Sequence, residues 1–294
     1  LEKLIVYLRM MRPANIVTSV ADILAGIAIS GILSSGFVTP WISILLLAAS
    51  TACLYGGGIV FNDVFDAELD KIERPERAIP SGLISLQNAA TFGSLLLSGG
   101  IVLAALNSFT SGILALLVAV FALLYNKFGK HHFFFGPLNM GLCRGFNLLL
   151  GLSIVPAMLY SHYYLAIIPV VYIFSITMTS RGEVHGGHTK NLYIAASLYA
   201  IVILAIAYFA FVNDRLLWSL LFLVPFTFMI FKPLLKAINQ PIGKNIGAAV
   251  KAGVISLILM DAAWAVTFDA LILAFVIAAL LPLSLWLSKL FAVT

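Results

Sequence analysis

Apolar residues run through this chain in long stretches broken by short polar intervals. The stretches fall near 14–33, 41–62, 88–107, 110–125, 137–159, 162–180, 190–212, 215–231, 246–264 and 267–288. A helix rising 1.5 Å per residue needs about 20 residues to cross roughly 30 Å of hydrocarbon. The pattern therefore predicts ten membrane-crossing segments. They are too long for barrel strands, and in lipid a helix satisfies its own backbone groups. The predicted fold class is all-α, a polytopic transmembrane helical bundle of nine to ten helices. No linker, low-complexity tract or cleavable signal peptide interrupts this reading, so residues 1–294 are taken as one transmembrane domain.

Lysine and arginine orient the bundle, because cytoplasmic loops hold an excess of them. With the N-terminus inside, Lys3, Arg9, Arg12, Lys71, Arg74, Arg77, Lys127, Lys130, Arg181, Lys190, Lys232, Lys236, Lys244 and Lys289 all fall on the inner side. These are fourteen of the seventeen basic residues. Arg215 alone lies in an outer loop, while Arg144 and Lys251 lie within spans. The longest polar connections, 63–87, 181–190 and 232–245, share the inner face, and that is where activity is expected. An integral protein of the cell (inner) membrane, with a cytoplasmic N-terminus, follows as the expectation.

Composition agrees: 62% of residues are hydrophobic and only 10% charged, against about a quarter charged in soluble domains. The net charge of +5 reflects the basic inner loops, which suit anionic lipid. No basic soluble domain or recognition motif points to nucleic acid. Cys53 and Cys143 lie in spans without metal-ligand spacing and read as small apolar residues.

Against this background the stretch FNDVFDAELDKIERPERAIPSG, 61–82, concentrates charge. Asn62, Asp63, Asp66 and Asp70 are spaced so that 63, 66 and 70 share one helical face, bordered by Asn62. Carboxylates stacked at a helix C-terminus are unfavourable unless cations lie between them. Carboxylates with one amide suit Mg²⁺, which takes oxygen ligands and keeps water and phosphate oxygens in its shell. Lys71, Arg74 and Arg77 follow as phosphate donors. The alternative is a solvated helix end held by pairs such as Asp70 with Arg74.

NDVFDAELD followed by ERPERAIPSG resembles the first Asp-rich signature of the UbiA superfamily of intramembrane prenyltransferases. Arg12, Pro13 and Asn15 resemble the family's R-P-x-N start to its first span. Tyr125 with Lys127 or Lys130 resembles its tyrosine and basic pair after the fourth. The resemblance implies a nine-helix fold, where ten apolar runs are counted here. It also implies Mg²⁺ as cofactor, a prenyl diphosphate donor, and transfer of the prenyl group to a small acceptor, unidentified here, with release of diphosphate. Asp63, Asp66, Arg144 and Glu183 are then taken as catalytic, with Asn62, Asp63, Asp66 and Asp70 on the metal. A water-poor cavity would hold the donor tail and shield a cation-like carbon.

Relatives place a second Asp-rich motif between the sixth and seventh helices, where this chain has TSRGEVHGGHTK, 179–190. That departure resembles a divergent UbiA-like subgroup including proteins of ebo-type biosynthetic clusters. Glu183 with His185 as ligands of a second metal, with Glu183 also catalytic, Arg181 with His185 and His188 as phosphate donors, and a plain Gly-rich connection all remain open.

Asp22, Arg144, Lys251 and Asp261 are ionisable residues within spans, costly there unless paired or facing a polar cavity. Asp22, Arg144 and Asn147 are read either as an acceptor site or, equally, as a structural Asp22–Arg144 pair. Lys251 can snorkel inward, and Asp261 is the weaker candidate. Gly56–Gly58 read as close helix packing. Without a nucleophile motif there is no case for a hydrolase. A transporter or lipid-binding protein on the same fold is the alternative to a transferase.

Overall fold

The computed structural model describes residues 2–33, 40–130, 132–181 and 189–291. Among them are thirteen α-helices in chain order: α1 Glu2–Met10, α2 Pro13–Ile29, α3 Trp41–Phe65, α4 Ala67–Glu73, α5 Leu86–Asn107, α6 Phe109–Leu124, α7 Phe135–Leu152, α8 Pro156–His162, α9 Ile167–Ser180, α10 Thr189–Val212, α11 Leu216–Asn239, α12 Gly243–Thr267 and α13 Leu271–Leu290. Every predicted apolar run is helical. Eight helical segments are long and apolar enough to cross a membrane by themselves, and α2 qualifies together with α1 across a 50° bend. Helix α7 falls short because it carries Asn139, Arg144 and Asn147; it packs against α2, α6 and α9 inside the bundle, where those groups avoid lipid.

Several boundaries differ from the apolar pattern. The fifth run ends at Leu152, and Pro156 starts α8, which continues through a tight turn at Tyr163–Ala166 into α9. Tyr160, His162, Tyr163 and Tyr164 therefore belong to the first turns of the sixth span. Helix α11 runs past Lys232 and Lys236 to Asn239, and the final break sits at 268–270. The tenth run forms α13, which lies against α2 and α12. There Ser284 Oγ donates to the Ala14 carbonyl at 2.9 Å.

The chain winds α2, α3, α5, α6 and α7, then α9 to α12, and α12 returns to α2. One apolar cluster joins Ile23, Leu47, Leu54, Leu97 and Leu150 of the first half. A larger one gathers Tyr172, Phe226, Ile258 and Trp264 of the second, reaching back to α2 and α7. Glycine sets the closest crossing. A Cβ on Gly26 would stand 2.3 Å from the Leu148 carbonyl, and one on Gly151 would stand 2.3 Å from that of Ile23. Only hydrogen side chains allow α2 and α7 this approach. Gly57 plays a similar part against Leu97 and the Gly93 carbonyl of α5, as the triplet's composition predicts.

Candidate functional site

Helix α3 carries Asn62 and Asp63 to its end, but the helix does not continue through the motif. Asp66 adopts φ −90° and ψ 0° between α3 and α4, where it breaks the helical register. The single stripe of carboxylates predicted from spacing is thus divided between the end of α3 and the short α4, which meet at Asp66. This relieves stacking of negative charge on a helix C-terminus.

Basic side chains fill the spaces between the carboxylates. Arg77 Nη1 donates to Asp70 Oδ2 at 2.7 Å and to Asp63 Oδ1 at 3.3 Å. Arg12 Nη2 reaches Asp63 Oδ1 at 3.5 Å, and Lys130 pairs with Asp66. Burial holds the Lys130 ammonium below its ordinary pKa. Asp70 therefore pairs with Arg77 rather than with Arg74, which is exposed, and Lys71 turns away to Glu68 at 2.7 Å. Arg12 has a left-handed backbone, φ 50°, just before Pro13. Such a conformation costs about 1–3 kcal/mol in a non-glycine residue and is typical of functional positions.

Among the described residues, no three His, Cys, Asp or Glu side chains converge as a ready metal cage. Their donor set nevertheless fits a hard divalent cation: one amide and three carboxylates, all oxygen. The cations drawn in between those carboxylates show that the cluster requires positive charge.

Asn62 also opens onto a cavity of about 320 Å³ between the two halves of the bundle. Arg12, Asn15, Tyr125 and Asn126 line its end near the motif; Leu54, Val118, Ile173 and Ile176 line its middle; Thr51, Arg144 and Asn147 line its deep end. Asn62 Nδ2 donates to Asn126 Oδ1 at 3.3 Å, and Asn126 Nδ2 donates to the Gly58 carbonyl at 2.8 Å. The deep end lies eleven residues up α3 from Asn62, about 16 Å at helical rise. A second cleft of about 340 Å³, on the other side of Asp63, is bounded by Arg9, Arg12, Glu76, Arg77 and the end of α13.

The deep end is a hydrogen-bonded floor. Arg144 Nη1 donates to the Thr18 carbonyl at 3.1 Å and to Asp22, and Nη2 donates to Thr18 Oγ1 at 2.6 Å. Its guanidinium carbon sits 5.4 Å from the centroid of the Tyr55 ring. Asn147 Nδ2 donates to Asp22 Oδ2 at 3.0 Å and to the Ser19 carbonyl at 2.9 Å, and Thr51 Oγ1 donates to Asn147 Oδ1 at 2.6 Å. Asp22, 1% exposed, is thus the buried partner of Arg144 and not part of the cavity wall.

Of the residues singled out from sequence, Asn15, Asn62, Tyr125, Arg144 and Asn147 meet in one cavity; Asp63 and Arg77 line the second cleft, and Asp66, Asp70 and Lys130 complete the ion-paired cluster beside Asn62 without lining either. Lys127 turns outward over Phe128, and Arg181 lies over Phe133, donating to the His132 carbonyl. Neither lines the cavity. Glu183, His185 and His188 lie outside the described residues. Lys251 is exposed and takes no part. Sequence reasoning missed Thr51, Tyr55 and Asn126. The first two were findable, since 51, 55, 58 and 62 repeat at helical spacing on one face of α3.

Fold and site together define a polytopic membrane protein whose mostly apolar cavity runs from Asn62, beside an acidic cluster, to a polar floor. Residues 23–232 match the UbiA prenyltransferase family. The chain belongs to that family. It is 37% identical over 151 residues to the digeranylgeranylglyceryl phosphate synthase of Methanococcoides burtonii, a match covering 49% of this chain and 53% of that one. The synthase of Sulfurisphaera tokodaii is 30% identical over 174 residues, covering 59% and 60%. The chain thus spans about half to three-fifths of the length of these relatives. Among solved structures, a digeranylgeranylglyceryl phosphate synthase superposes with TM-score 0.66 at 23% identity, over 91% of this chain and 99% of that one. A UbiA homologue from Archaeoglobus fulgidus bound to GPP and Mg²⁺ gives 0.60 at 15%, over 86% and 99%. At these identities the structures establish the fold.

Proposed function

We propose that the chain, as one domain over 1–294, is a Mg²⁺-dependent prenyltransferase that moves a prenyl or polyprenyl group from a diphosphate donor to a small acceptor. The observation that carries this reading is an oxygen-rich acidic cluster whose Asn62 also opens onto a long, mostly apolar cavity. One end suits a metal-bound diphosphate and the other an isoprenoid chain. A UbiA homologue from A. fulgidus is bound to GPP and Mg²⁺, a donor and a cation of the classes proposed here.

Asn62, Asp63, Asp66 and Asp70 would hold Mg²⁺, which when bound neutralises charge on the departing diphosphate. Arg77, Lys130 and Arg12, paired with those carboxylates, would offer N–H donors to phosphate oxygens, as would Arg74 from the exposed side. Tyr125 and Asn126 place the allylic carbon at the cavity end. Leu54, Val118, Ile173 and Ile176 keep water from it as the allylic C–O bond breaks. Arg144 and Asn147, held by Asp22, position the acceptor. Arg181, Glu183 and His185 belong to the loop that takes the place of a second acidic motif, the feature shared with the divergent ebo-type subgroup. Cytoplasmic placement of the N-terminus and the acidic cluster in the cell membrane follows from the basic inner loops.

The test is release of diphosphate from labelled prenyl donors of several chain lengths, with and without Mg²⁺, over a panel of acceptors. Mg²⁺-dependent release with a prenylated product supports the reading. A protein that binds donors in neither condition is instead a transporter or lipid-binding member of the fold. Full turnover by Glu183→Ala would remove that residue from the catalytic set.

A further inference from the structure

Asn126 stands where the chain after α6 takes a wider turn. The Lys130 N–H donates to the Tyr125 carbonyl, five residues back, at 3.0 Å, and Tyr125–Gly129 form one turn of π-helix. Such turns interrupt α-helices mostly where function needs a side chain re-aimed. Here the turn docks on the end of α3 at two places: Asn126 meets Asn62, and Lys130 meets Asp66. Asn62 and Asp66 are themselves joined by the Asp66 N–H bond to the Asn62 carbonyl at 3.0 Å. Asn126 is 5% exposed, so its amide is fixed by the protein rather than by water.

The order of the two amides follows from what each partner can give. A backbone carbonyl only accepts, so the Asn126 atom 2.8 Å from the Gly58 carbonyl is Nδ2. Asn126 Oδ1 then faces Asn62 and accepts from its Nδ2 at 3.3 Å. With Nδ2 engaged, Oδ1 is the atom of Asn62 left open; no described residue donates to it, and Asn62 lines the cavity. Turning the Asn62 amide over would set its oxygen against Asn126 Oδ1, lone pair against lone pair, and present an NH₂ group in place of a ligand.

We infer that Asn126 is a positioning residue for the metal site: anchored on the Gly58 carbonyl, it holds the Asn62 amide with Oδ1 outward as a ligand for a hard divalent cation. This rests on the Mg²⁺-diphosphate reading and adds the group that sets its one ambiguous ligand. Asp63, Asp66 and Asp70 offer oxygen whichever way they turn, whereas an amide does so one way only. Partners that orient a metal ligand carry about ten- to a hundredfold in metal affinity.

A double-variant cycle tests this, read as the Mg²⁺ concentration that half-saturates binding of geranyl diphosphate. Asn126→Leu removes both hydrogen bonds at similar volume and is expected to raise that midpoint about tenfold. Asn62→Asp presents oxygen in either orientation, so in that background Asn126→Leu should leave the midpoint within about twofold. An equal rise in both backgrounds, as lost packing or a lost contact with the donor would give, overturns the inference. An unchanged midpoint in Asn126→Leu alone overturns it too. Where leucine disturbs folding, Asn126→Ala, which only removes atoms, carries the same comparison. A wild type that binds geranyl diphosphate without regard to Mg²⁺, or not at all, overturns the prenyl-transfer reading itself; Mg²⁺-dependent wild-type binding with additive variants overturns only the role of Asn126.

Discussion

Arg77 and Asp70 form the tightest closure of the acidic cluster, at 2.7 Å, while the same Arg77 nitrogen also reaches Asp63 at 3.3 Å. Seven residues separate Arg77 from Asp70, so this one guanidinium folds the connection after α4 back onto the end of α3. Both Arg77 and Asp70 side chains are largely buried.

Arg77→Ala should therefore leave two shielded carboxylates without their main counter-charge. Breaking such a pair costs about 3–5 kcal/mol where burial is complete, and less here because solvent still reaches the mouth. A lower thermal midpoint, partly restored by Mg²⁺, is expected in a detergent melting assay. An unchanged midpoint would show that Arg77 does not hold the cluster.

Arg144→Ala removes the cation facing Asp22 in a site where both residues are buried. A loss of about 3–5 kcal/mol is expected, because the surviving charge is left without a partner. The double variant Asp22→Asn/Arg144→Met should recover much of it. Melting of the three variants against the wild type measures the coupling, and additive losses would contradict a paired cluster.

Gly151→Ala places a methyl group against the Ile23 carbonyl at the tightest crossing of α2 and α7. Backbone must move, at a cost of about 1–3 kcal/mol. Since this crossing also carries the Asp22–Arg144 pair, floor geometry should loosen with it. Gly99→Ala, with open space around its Cβ, should melt like the wild type, and equal behaviour of the two variants would refute the packing role.

Orientation is open to labelling with a membrane-impermeant thiol reagent. In a background lacking Cys53 and Cys143, a cysteine at Ile72 should react only from the cytoplasmic side and one at Asp214 only from the opposite side. Reaction of both from one side would contradict the topology read from the basic loops.

Much of the architecture was legible in sequence. The apolar runs became helices, the fifth divided between α7 and α8, because a lipid-crossing segment has few alternatives. The acidic motif identified the charged end, since such residues are rare in spans and local in sequence. What escaped depended on contacts between distant helices. Thr51 is unremarkable in α3 until the fold brings Asn147 of α7 beside it, 96 residues away in sequence. The break at Asp66 was hidden for a related reason. Spacing alone favours one continuous helix, whereas Arg77, Arg12 and Lys130, from three other segments, bind the carboxylates best when it bends. Asn126 was overlooked beside its better-marked neighbours Tyr125 and Lys127, and only the fold turns it towards Asn62.

The central claim is that the cluster around Asp63 and Asp66 binds a prenyl diphosphate through Mg²⁺. Equilibrium binding of geranyl diphosphate to the purified protein, with Mg²⁺ and with chelator, tests it most directly when the wild type is set beside Asp63→Ala and Asp66→Ala. Wild-type binding should depend on Mg²⁺, and each variant should lose about a hundredfold or more in affinity while remaining folded. Unchanged Mg²⁺-dependent affinity in both variants would contradict the assignment.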